Sequence, residues 1–307
     1  MIMAHITDRL YERKWGVFNH YLAGRKKQDW NAKVEGLDVK KLARNLHEVG
    51  AGYYFITIMQ GGRYMLMPNK TYDDIMGVEP GDCCPKRDVV MELGEELAKY
   101  DIDLYLYYTG DGPHFDEIGW QKFGFRYDID EIWTPNGLVP TKEPITKDFV
   151  DKWAAVLEEY TLRYKDMVKG WWMDGFYGIQ FGYTPELIRP YYDAVKAGNP
   201  NAICAFNNGV KKQAERWTEY SEFVAGEFND YNYIPPERFI DGAQAHVLAP
   251  LGEKWSAGDT NRYDVNFMSD YITKVNKNGG VVTVEIHIEP DGSFTDEQFT
   301  LLKNLKL

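Results

Sequence analysis

The chain of 307 residues is long enough for one large α/β barrel or for two ordinary domains. Asp and Glu outnumber Lys and Arg by 47 to 35, and the resulting net charge of -12 argues against nucleic acid or an anionic membrane surface as the main partner. Aromatic residues make up 15% of the chain, and side chains with a flat apolar face and a polar edge suit neutral, hydroxyl-rich ligands as well as cores.

Apolar runs typical of buried strands alternate with helical patterns along the whole chain. The predicted strands are, in chain order, residues 15–19, 53–59, 103–108, 170–173, 202–207, 222–226, 243–248 and 281–288. The longest helical pattern runs from about 146 to 167, and a capping box of Thr295 and Gln298 opens a final helix. Eight such units without an internal linker predict one (β/α)8 TIM barrel over residues 1–307.

An open doubly wound sheet is the alternative architecture. Its nucleotide-binding form is disfavoured because the segment after the first strand, GVFNHYLAG, lacks the GxGxxG spacing. We therefore expect no nucleotide and no other cofactor. The three cysteines form neither a disulfide framework nor a metal-binding CxxC spacing, so free thiols are expected.

The amino terminus, MIMAHITDRLYERKWG, carries charges where a secretory signal would need an apolar segment. No stretch of the chain approaches the length of a membrane span. We therefore expect a cytoplasmic protein, or a periplasmic or secreted one from which a signal peptide has been removed.

In a parallel α/β barrel, functional side chains collect just past the carboxyl ends of the strands. Polar residues follow each predicted strand of this chain and form a candidate set for ligand contact. In chain order they include His20, Gln60, Tyr108, Asp111, His114, Asp174, Asn207, Glu227, His246, Glu285 and His287.

The segment GWWMDGFYG at 170–178 is the most informative, because a short apolar run ends on Asp174 in an Asp-Gly turn. A strand of this kind delivers a carboxylate to the barrel rim, although an Asp-Gly pair can also serve only to start a turn. Glycosidic cleavage requires a second carboxylate facing the first. Glu227 is the first choice for this acid/base and Glu237 the alternative, unless their acidic loop is merely solvated.

A second group of residues competes for the same rim. Glu285, His287 and Glu289 alternate along the eighth predicted strand, so their side chains point to one face, with His246 and Asp174 nearby. Carboxylates and imidazoles of this kind can bind a divalent metal, which makes a metal-dependent hydrolase or isomerase an alternative. No recognised metal-ligand spacing is present, so no metal is assigned. Hydrogen bonding to sugar hydroxyls is the simpler role for the same side chains.

Several stretches together resemble the α-L-fucosidases of glycoside hydrolase family 29. RKWGVFNHYL (13–22) resembles that family's KFGIFIHWG, and residues 83–108 are similar to its PKRDLVGELGEAVRKAGLKFGLYYS segment. GWWMDGF is similar to the xxWFDG motif around the family's nucleophile. Near the end, KWSAGDTNRY (254–263) and VNKNGGVVTVEIHIEPDGSF (275–294) are similar to SWGYN and VSKNGNLLLNIGPxPDGTI. The order and spacing hold across nearly the whole chain.

The resemblance implies a (β/α)8 retaining exo-glycosidase that acts on a carbohydrate substrate. It implies that Asp174 is the nucleophile and that His20 binds the sugar, while Trp172 and Trp255 line the sugar pocket. The acid/base lies in a variable loop of the family, which implies Glu227 or Glu237. The remaining rim residues are expected to bind substrate, namely Gln60, Tyr108, Asn207, His246, Glu285 and His287.

The chain departs from the family pattern after the second strand. Where the family has TAKHHDGFCLWPS, residues 57–69 read TIMQGGRYMLMPN, so Gln60 and Gly61 replace two sugar-binding histidines. A site built around particular hydroxyls discriminates strongly, so we expect a sugar specificity altered from fucose. A carbohydrate-binding barrel without catalysis is the alternative. The family's trailing β-sandwich domain is not expected in this chain.

Overall fold

Seven parallel strands form one curled sheet in the computed structural model, which describes residues 5–23 and 30–307. The predicted domain of residues 1–307 also contains residues 1–4 and 24–29, which lie outside these ranges. Strands β1 to β7 are Trp15–Asn19, Tyr53–Thr57, Asp103–Thr109, Val168–Asp174, Ile203–Phe206, His246–Pro250 and Val281–Glu285. Their order in the sheet is β6-β7-β1-β2-β3-β4-β5, and every neighbouring pair is parallel. They correspond to seven of the eight predicted strands, with small differences at their ends.

Helices cover the outer face of this sheet. Helices α1 to α12 are Asp8–Arg13, Trp30–Glu35, Val39–Glu48, Lys70–Met76, Val89–Ala98, Glu117–Phe123, Ile129–Ile132, Lys147–Tyr164, Gly178–Phe181, Pro185–Gly198, Val265–Lys277 and Asp296–Lys303. A 3-10 helix spans Lys165–Met167, and two short antiparallel ribbons pair Trp133–Thr134 with Gly137–Leu138 and Phe239–Ile240 with Ala243–Gln244. None of the helices in the described ranges combines the length and the apolar character that crossing a membrane requires.

The prediction of eight regular strand-helix units holds only in part. The sixth predicted strand is not a strand of the sheet: residues 222–228 form isolated bridges through Phe223 and Glu227. Its backbone lies between β5 and β6, because the amide of Glu222 donates to Cys204 at 2.8 Å and the amide of Leu248 donates to Gly226 at 2.7 Å. No helix follows β5 or this segment before the ribbon at Phe239 in the described chain.

The physical reason for this irregularity is Gly226, whose φ of +61° lies in the left-handed region. A strand residue needs a negative φ, so the segment kinks at this glycine instead of running as a regular strand. Pairing on either side of the kink is limited to the isolated bridges at Phe223 and Glu227.

The two faces of the sheet bury different side chains. Along β3, Leu104, Leu106 and Tyr108 pack outward under the helices, while Tyr105 and Tyr107 point inward. This alternation is the two-residue period of a strand. Large aromatic side chains fill the interior, which is therefore a packed core with a polar rim above it. The inward aromatic residues are Phe18, Tyr53, Phe55, Tyr105, Tyr107 and Trp172.

His246 belongs to this interior and not to the rim where the sequence analysis expected it. It is the first residue of β6 and is fully buried. Its Nε2 lies 2.7 Å from Oγ1 of Thr283 and its Nδ1 lies 3.1 Å from the carbonyl oxygen of Val224. Burial lowers the pKa of this imidazole to about 4, so it is neutral at physiological pH.

We predict that Gly226→Ala destabilises the protein more than Gly50→Ala. Both glycines have left-handed backbones, but a Cβ at Gly50 meets nothing within 4 Å, whereas one at Gly226 stands 1.9 Å from the carbonyl oxygen of His246. In the control, Gly50→Ala, the only penalty is that of holding alanine in the left-handed conformation, about 1–2 kcal/mol. Gly226→Ala should cost at least about 1 kcal/mol more, because the backbone of β6 must move. Urea denaturation measures both variants, and equal losses would contradict the predicted clash.

Candidate active site

Asp174 is the last residue of β4 and lies at the carboxyl end of the sheet. The chain turns directly after it, because Gly175 adopts a φ of +70°. Its carboxylate receives two short hydrogen bonds: Tyr107 Oη donates to Oδ2 at 2.6 Å and Asn207 Nδ2 donates to Oδ1 at 2.8 Å. Donors on both oxygens hold the carboxylate in one orientation while it remains partly exposed.

Asn207 connects Asp174 to a second carboxylate. The same Nδ2 atom donates to Glu227 Oε2 at 2.7 Å. Because both carboxylate oxygens bond to one nitrogen, at 2.8 and 2.7 Å, their separation cannot exceed the total of the two distances, about 5.5 Å. Asp174, Asn207 and Glu227, three residues that the sequence analysis selected from different strand ends, therefore come together.

Glu227 is protonated more readily than an ordinary glutamate. Burial raises the pKa of this carboxyl group, the nearby charge of Asp174 raises it further, and the hydrogen bond from Asn207 opposes them; the result is about 8. A neutral Glu227 beside a carboxylate is the arrangement that a proton donor requires.

Tyr107 is a site residue that the sequence analysis missed in favour of its neighbour Tyr108. Tyr108 points outward and its hydroxyl donates to the carbonyl oxygen of Trp153 at 2.7 Å. Tyr107 points inward, bonds to Asp174 and accepts a hydrogen bond from Gln60 Nε2 at 3.0 Å. Its ring stacks on Trp172 with centroids 5.5 Å apart. Side chains alternate between the two faces of β3, so knowing that one residue of this strand points inward would have identified Tyr107 as the inward tyrosine.

Asp111, one of the polar residues predicted at the strand ends, is a further carboxylate of the site. It is buried, and its Oδ2 accepts from Tyr127 Oη at 3.2 Å and lies 3.2 Å from His114 Nδ1. Thr109 donates to the other oxygen. Burial raises the pKa of Asp111, Asp174 adds to the rise, and the hydrogen bonds from Thr109 and Tyr127 oppose it, giving about 7.

A second group lies at the carboxyl ends of β1 and β7. His20 Nδ1 is 3.0 Å from Glu285 Oε1, and the amide of Ser256 donates to the same oxygen at 2.8 Å. The ring of Trp255 stands edge-on to His20 with centroids 5.9 Å apart. His287 lies farther out, with Nδ1 at 3.2 Å from the carbonyl oxygen of Ser256. His20, Glu285 and Trp255 are thus neighbours.

Glu237 does not join the site. It is exposed and precedes Arg238, whose guanidinium bonds to Asp8 in α1 and to Gln244. Helix α1 leads into the amino end of β1, so this part of the chain lies at the opposite end of the sheet from Asp174.

A cavity of about 320 Å³ opens beside Asp174. Its walls come from the loops after β1, β2, β3 and β4, and they include Gln60, Asp111, His114, Tyr127 and Tyr177. The volume falls within the usual range for a small-ligand site.

The loop after β2 leaves no room for a side chain at position 61. Gly61 has a φ of +68°, and a Cβ there would lie 2.3 Å from the ring of Phe115 and 3.0 Å from that of His114. The loop after β3 thus fills the space beside Gly61 with aromatic side chains.

The residues of the predicted metal alternative do not assemble. His246 is buried at the start of β6, whereas Glu285 ends β7 and bonds to His20. Within the ranges that the structure describes, no three side chains of the metal-binding types are grouped to hold an ion.

Comparisons with known proteins give the family and the fold of the chain. A family model described as Alpha-L-fucosidase matches residues 5–306. A comparison with curated protein sequences gives no match. An endo-fucoidan hydrolase of glycoside hydrolase family 107 superposes with a TM-score of 0.70 at 15% identity, covering 96% of this chain and 92% of that one.

Two solved α-L-fucosidases have similar folds. A family 29 enzyme from Bacteroides thetaiotaomicron gives a TM-score of 0.68 at 15% identity, covering 99% of this chain and 73% of that one. The enzyme AlfC from Lactobacillus casei, solved with its α-L-fucose product, gives 0.67 at 16% identity, covering 98% and 97%. At such identities these likenesses show a shared fold, the mixed α/β architecture with a curled parallel sheet.

We predict that Glu227→Gln changes the pH dependence of folding stability. A carboxyl group whose pKa is higher in the folded than in the unfolded protein retains its proton on folding, so stability falls as pH rises from about 4.5 towards about 8. The glutamine cannot ionise and removes this contribution. Urea denaturation at pH 5 and pH 8 should show the variant gaining stability relative to the unsubstituted protein as pH rises. The exposed Glu237→Gln is the control, and parallel pH curves for Glu227→Gln and the parent would contradict the prediction.

Proposed function

The chain belongs to the α-L-fucosidase family and is a glycoside hydrolase, and we propose that it is a retaining exo-glycosidase with Asp174 as nucleophile and Glu227 as acid/base. The observation that carries the proposal is the single amide nitrogen of Asn207 that bonds to both carboxylates. The two oxygens that bond to Asn207 lie at most about 5.5 Å apart, which favours the ~5–5.5 Å spacing of carboxyl groups in retaining enzymes over the ~6.5–9.5 Å by which inverting enzymes admit a water molecule.

The reaction has two displacements in this proposal. Asp174 attacks the anomeric carbon and forms a glycosyl ester, while Glu227 transfers its proton to the departing glycosidic oxygen. The ionised Glu227 then takes a proton from water, whose oxygen attacks the same carbon and releases Asp174. The sugar keeps its anomeric configuration and Glu227 is protonated again.

Tyr107 and Asn207 position the nucleophile. Their hydrogen bonds, at 2.6 and 2.8 Å, fix the Asp174 carboxylate before substrate arrives. Donors on both oxygens hold the carboxylate in place for attack. Trp172 supports Tyr107 by stacking, and its Nε1 donates to the carbonyl oxygen of Ala225 at 2.9 Å, next to the Glu227 segment.

We further propose that residues 222–228 take the place of an eighth strand, so that residues 1–307 form one (β/α)8 catalytic domain. Backbone hydrogen bonds to both β5 and β6 support this assignment. The kink at Gly226 then aims Glu227 at the rim.

The sugar specificity is altered from that of an ordinary fucosidase. Gln60 donates to Tyr107 at 3.0 Å, and the ring of Phe115 fills the space at Gly61 where the resemblance places an imidazole. The pocket therefore offers an amide and an aromatic face in place of two imidazoles. His20, Glu285 and Trp255 lie together near Tyr107, whose ring centroid is 6.1 Å from that of His20. In this proposal they contact the sugar, with His287 at the outer edge of the group.

The experiment for the nucleophile is a screen of aryl L-fucoside, L-arabinoside, L-rhamnoside and D-galactoside in both anomeric forms. We expect turnover of at least one glycoside, and at least about a 10³-fold loss of kcat/KM in Asp174→Ala. The control is Asp193→Ala, which removes an exposed carboxylate of α10. A 2-deoxy-2-fluoro glycoside of the cleaved sugar should leave a covalent adduct on Asp174, detectable by mass spectrometry.

Unchanged turnover in Asp174→Ala would refute the assignment of the nucleophile. Binding of a free sugar without turnover of any aryl glycoside would refute the enzymatic proposal and favour a carbohydrate-binding barrel.

For the acid/base, we predict that kcat/KM falls above about pH 8, because Glu227 must carry a proton and loses it as pH rises through its pKa. In Glu227→Gln this limb should disappear. Cleavage of a phenyl glycoside should drop by ~10²–10⁴-fold, while a dinitrophenyl glycoside, whose leaving group needs no proton, should lose far less.

Glu237→Gln separates the two candidate glutamates, and we expect it to retain normal kcat/KM and the normal pH profile. The Glu227 assignment fails if Glu237→Gln shows the leaving-group dependence and Glu227→Gln does not.

A further inference from the structure

A second cavity of about 550 Å³ lies next to the one that contains Asp174. The two cavities share four wall residues, all from the segment between β3 and α8: His114, Phe115, Tyr127 and Ile129. The second cavity continues outward past Trp120 and Arg126 to residues 141–143. The two cavities are therefore adjacent, with these side chains between them.

Aromatic faces line this second cavity. The guanidinium of Arg126 lies over the Trp120 ring, 4.7 Å from its centroid. Tyr127 stacks on His114 with centroids 4.1 Å apart, so its ring is held firmly between the cavities. Rigid rings with polar edges nearby suit the alternating C–H and hydroxyl surfaces of a sugar.

The charge of the walls selects against an anionic ligand. Four carboxylates, those of Asp128, Asp130, Glu131 and Glu143, face two cations, Arg126 and Lys142. Both cations already have partners: Lys142 Nζ lies 2.8 Å from Glu131 and Arg126 Nε lies 3.6 Å from Glu143. A sulfate or carboxylate group would meet a net negative surface, whereas a neutral hydroxylated ligand would find both donors and acceptors.

We propose that the second cavity is a sugar subsite that binds a neutral residue linked to the one held against Asp174. The inference rests on the proposed glycosidase function and adds to it that the preferred substrate is an uncharged oligosaccharide. Trp120 then determines specificity and takes no part in the chemistry, so its effect should fall on substrates long enough to reach it.

The test compares α-L-fucosyl fluoride, whose leaving group is a single atom, with an unsulfated α-L-fuco-oligosaccharide. We expect Trp120→Ala to lower kcat/KM for the oligosaccharide about 5- to 10-fold, mainly through KM, and to leave the fluoride unchanged. Trp120→Phe should recover most of the loss because it restores an aromatic face. The sulfated form of the same oligosaccharide should be a poorer substrate than the neutral one.

Equal losses on both substrates would assign Trp120 a purely structural role and overturn the subsite. No loss on either substrate, or a preference for the sulfated oligosaccharide, would overturn it as well. If the unsubstituted protein cleaves neither fucosyl probe, the screen of aryl glycosides decides the proposed function separately. Calorimetric titration with the unsulfated oligosaccharide then tests the subsite. Weaker binding by Trp120→Ala than by the unsubstituted protein supports the subsite, whereas equal binding by both proteins, or binding by neither, overturns it.

Discussion

The hydrogen bonds of one asparagine amide to two carboxylates are the interaction on which the site depends. Asp174 and Glu227 are close enough that their charges repel, so the energetic cost of ionising both is high and one of them retains a proton. The Asn207 amide has two N–H bonds and satisfies one oxygen of each group, which fixes their spacing. The backbone places the amide, because the Asn207 N–H donates to Met173 at 2.7 Å and its carbonyl oxygen accepts from Phe176 at 3.1 Å. The pairing of β4 with the end of β5 thus determines the position of Asn207 and the geometry of the site.

The aromatic interior gives this geometry its rigidity. Tyr107 belongs both to the packed core and to the site: its ring stacks on Trp172 while its hydroxyl reaches Asp174. A ring held on its face by close packing cannot swing its hydroxyl away from the carboxylate without opening the core. Core packing and nucleophile orientation are therefore one property of this fold, and the aromatic composition serves both.

The sequence predicts the parts of the site that depend on strand ends, and it is weaker where the site depends on strand faces or distant loops. Asp174 and Glu227 follow apolar runs, so their places at the carboxyl end were foreseeable. Tyr107 was not distinguished from Tyr108, because a shift of one residue reverses the face and neither neighbour carries a polar marker. His246 looked like a rim residue only because the apolar run was placed too early; the strand begins at this histidine.

The crowding of Gly61 by Phe115 couples the loops after β2 and β3, although 53 residues lie between these two positions. An imidazole at position 61 requires a smaller residue at 115, and shrinking Phe115 alone opens an unfilled gap in the wall. Each change is harmful without the other, and the left-handed backbone of Gly61 adds a penalty of about 1–2 kcal/mol to any side chain introduced there. Neither single substitution therefore converts this pocket into a histidine-lined one without a loss of stability. Directed evolution by single substitutions should not reach the histidine-lined pocket, whereas a library that varies positions 61 and 115 together can contain it.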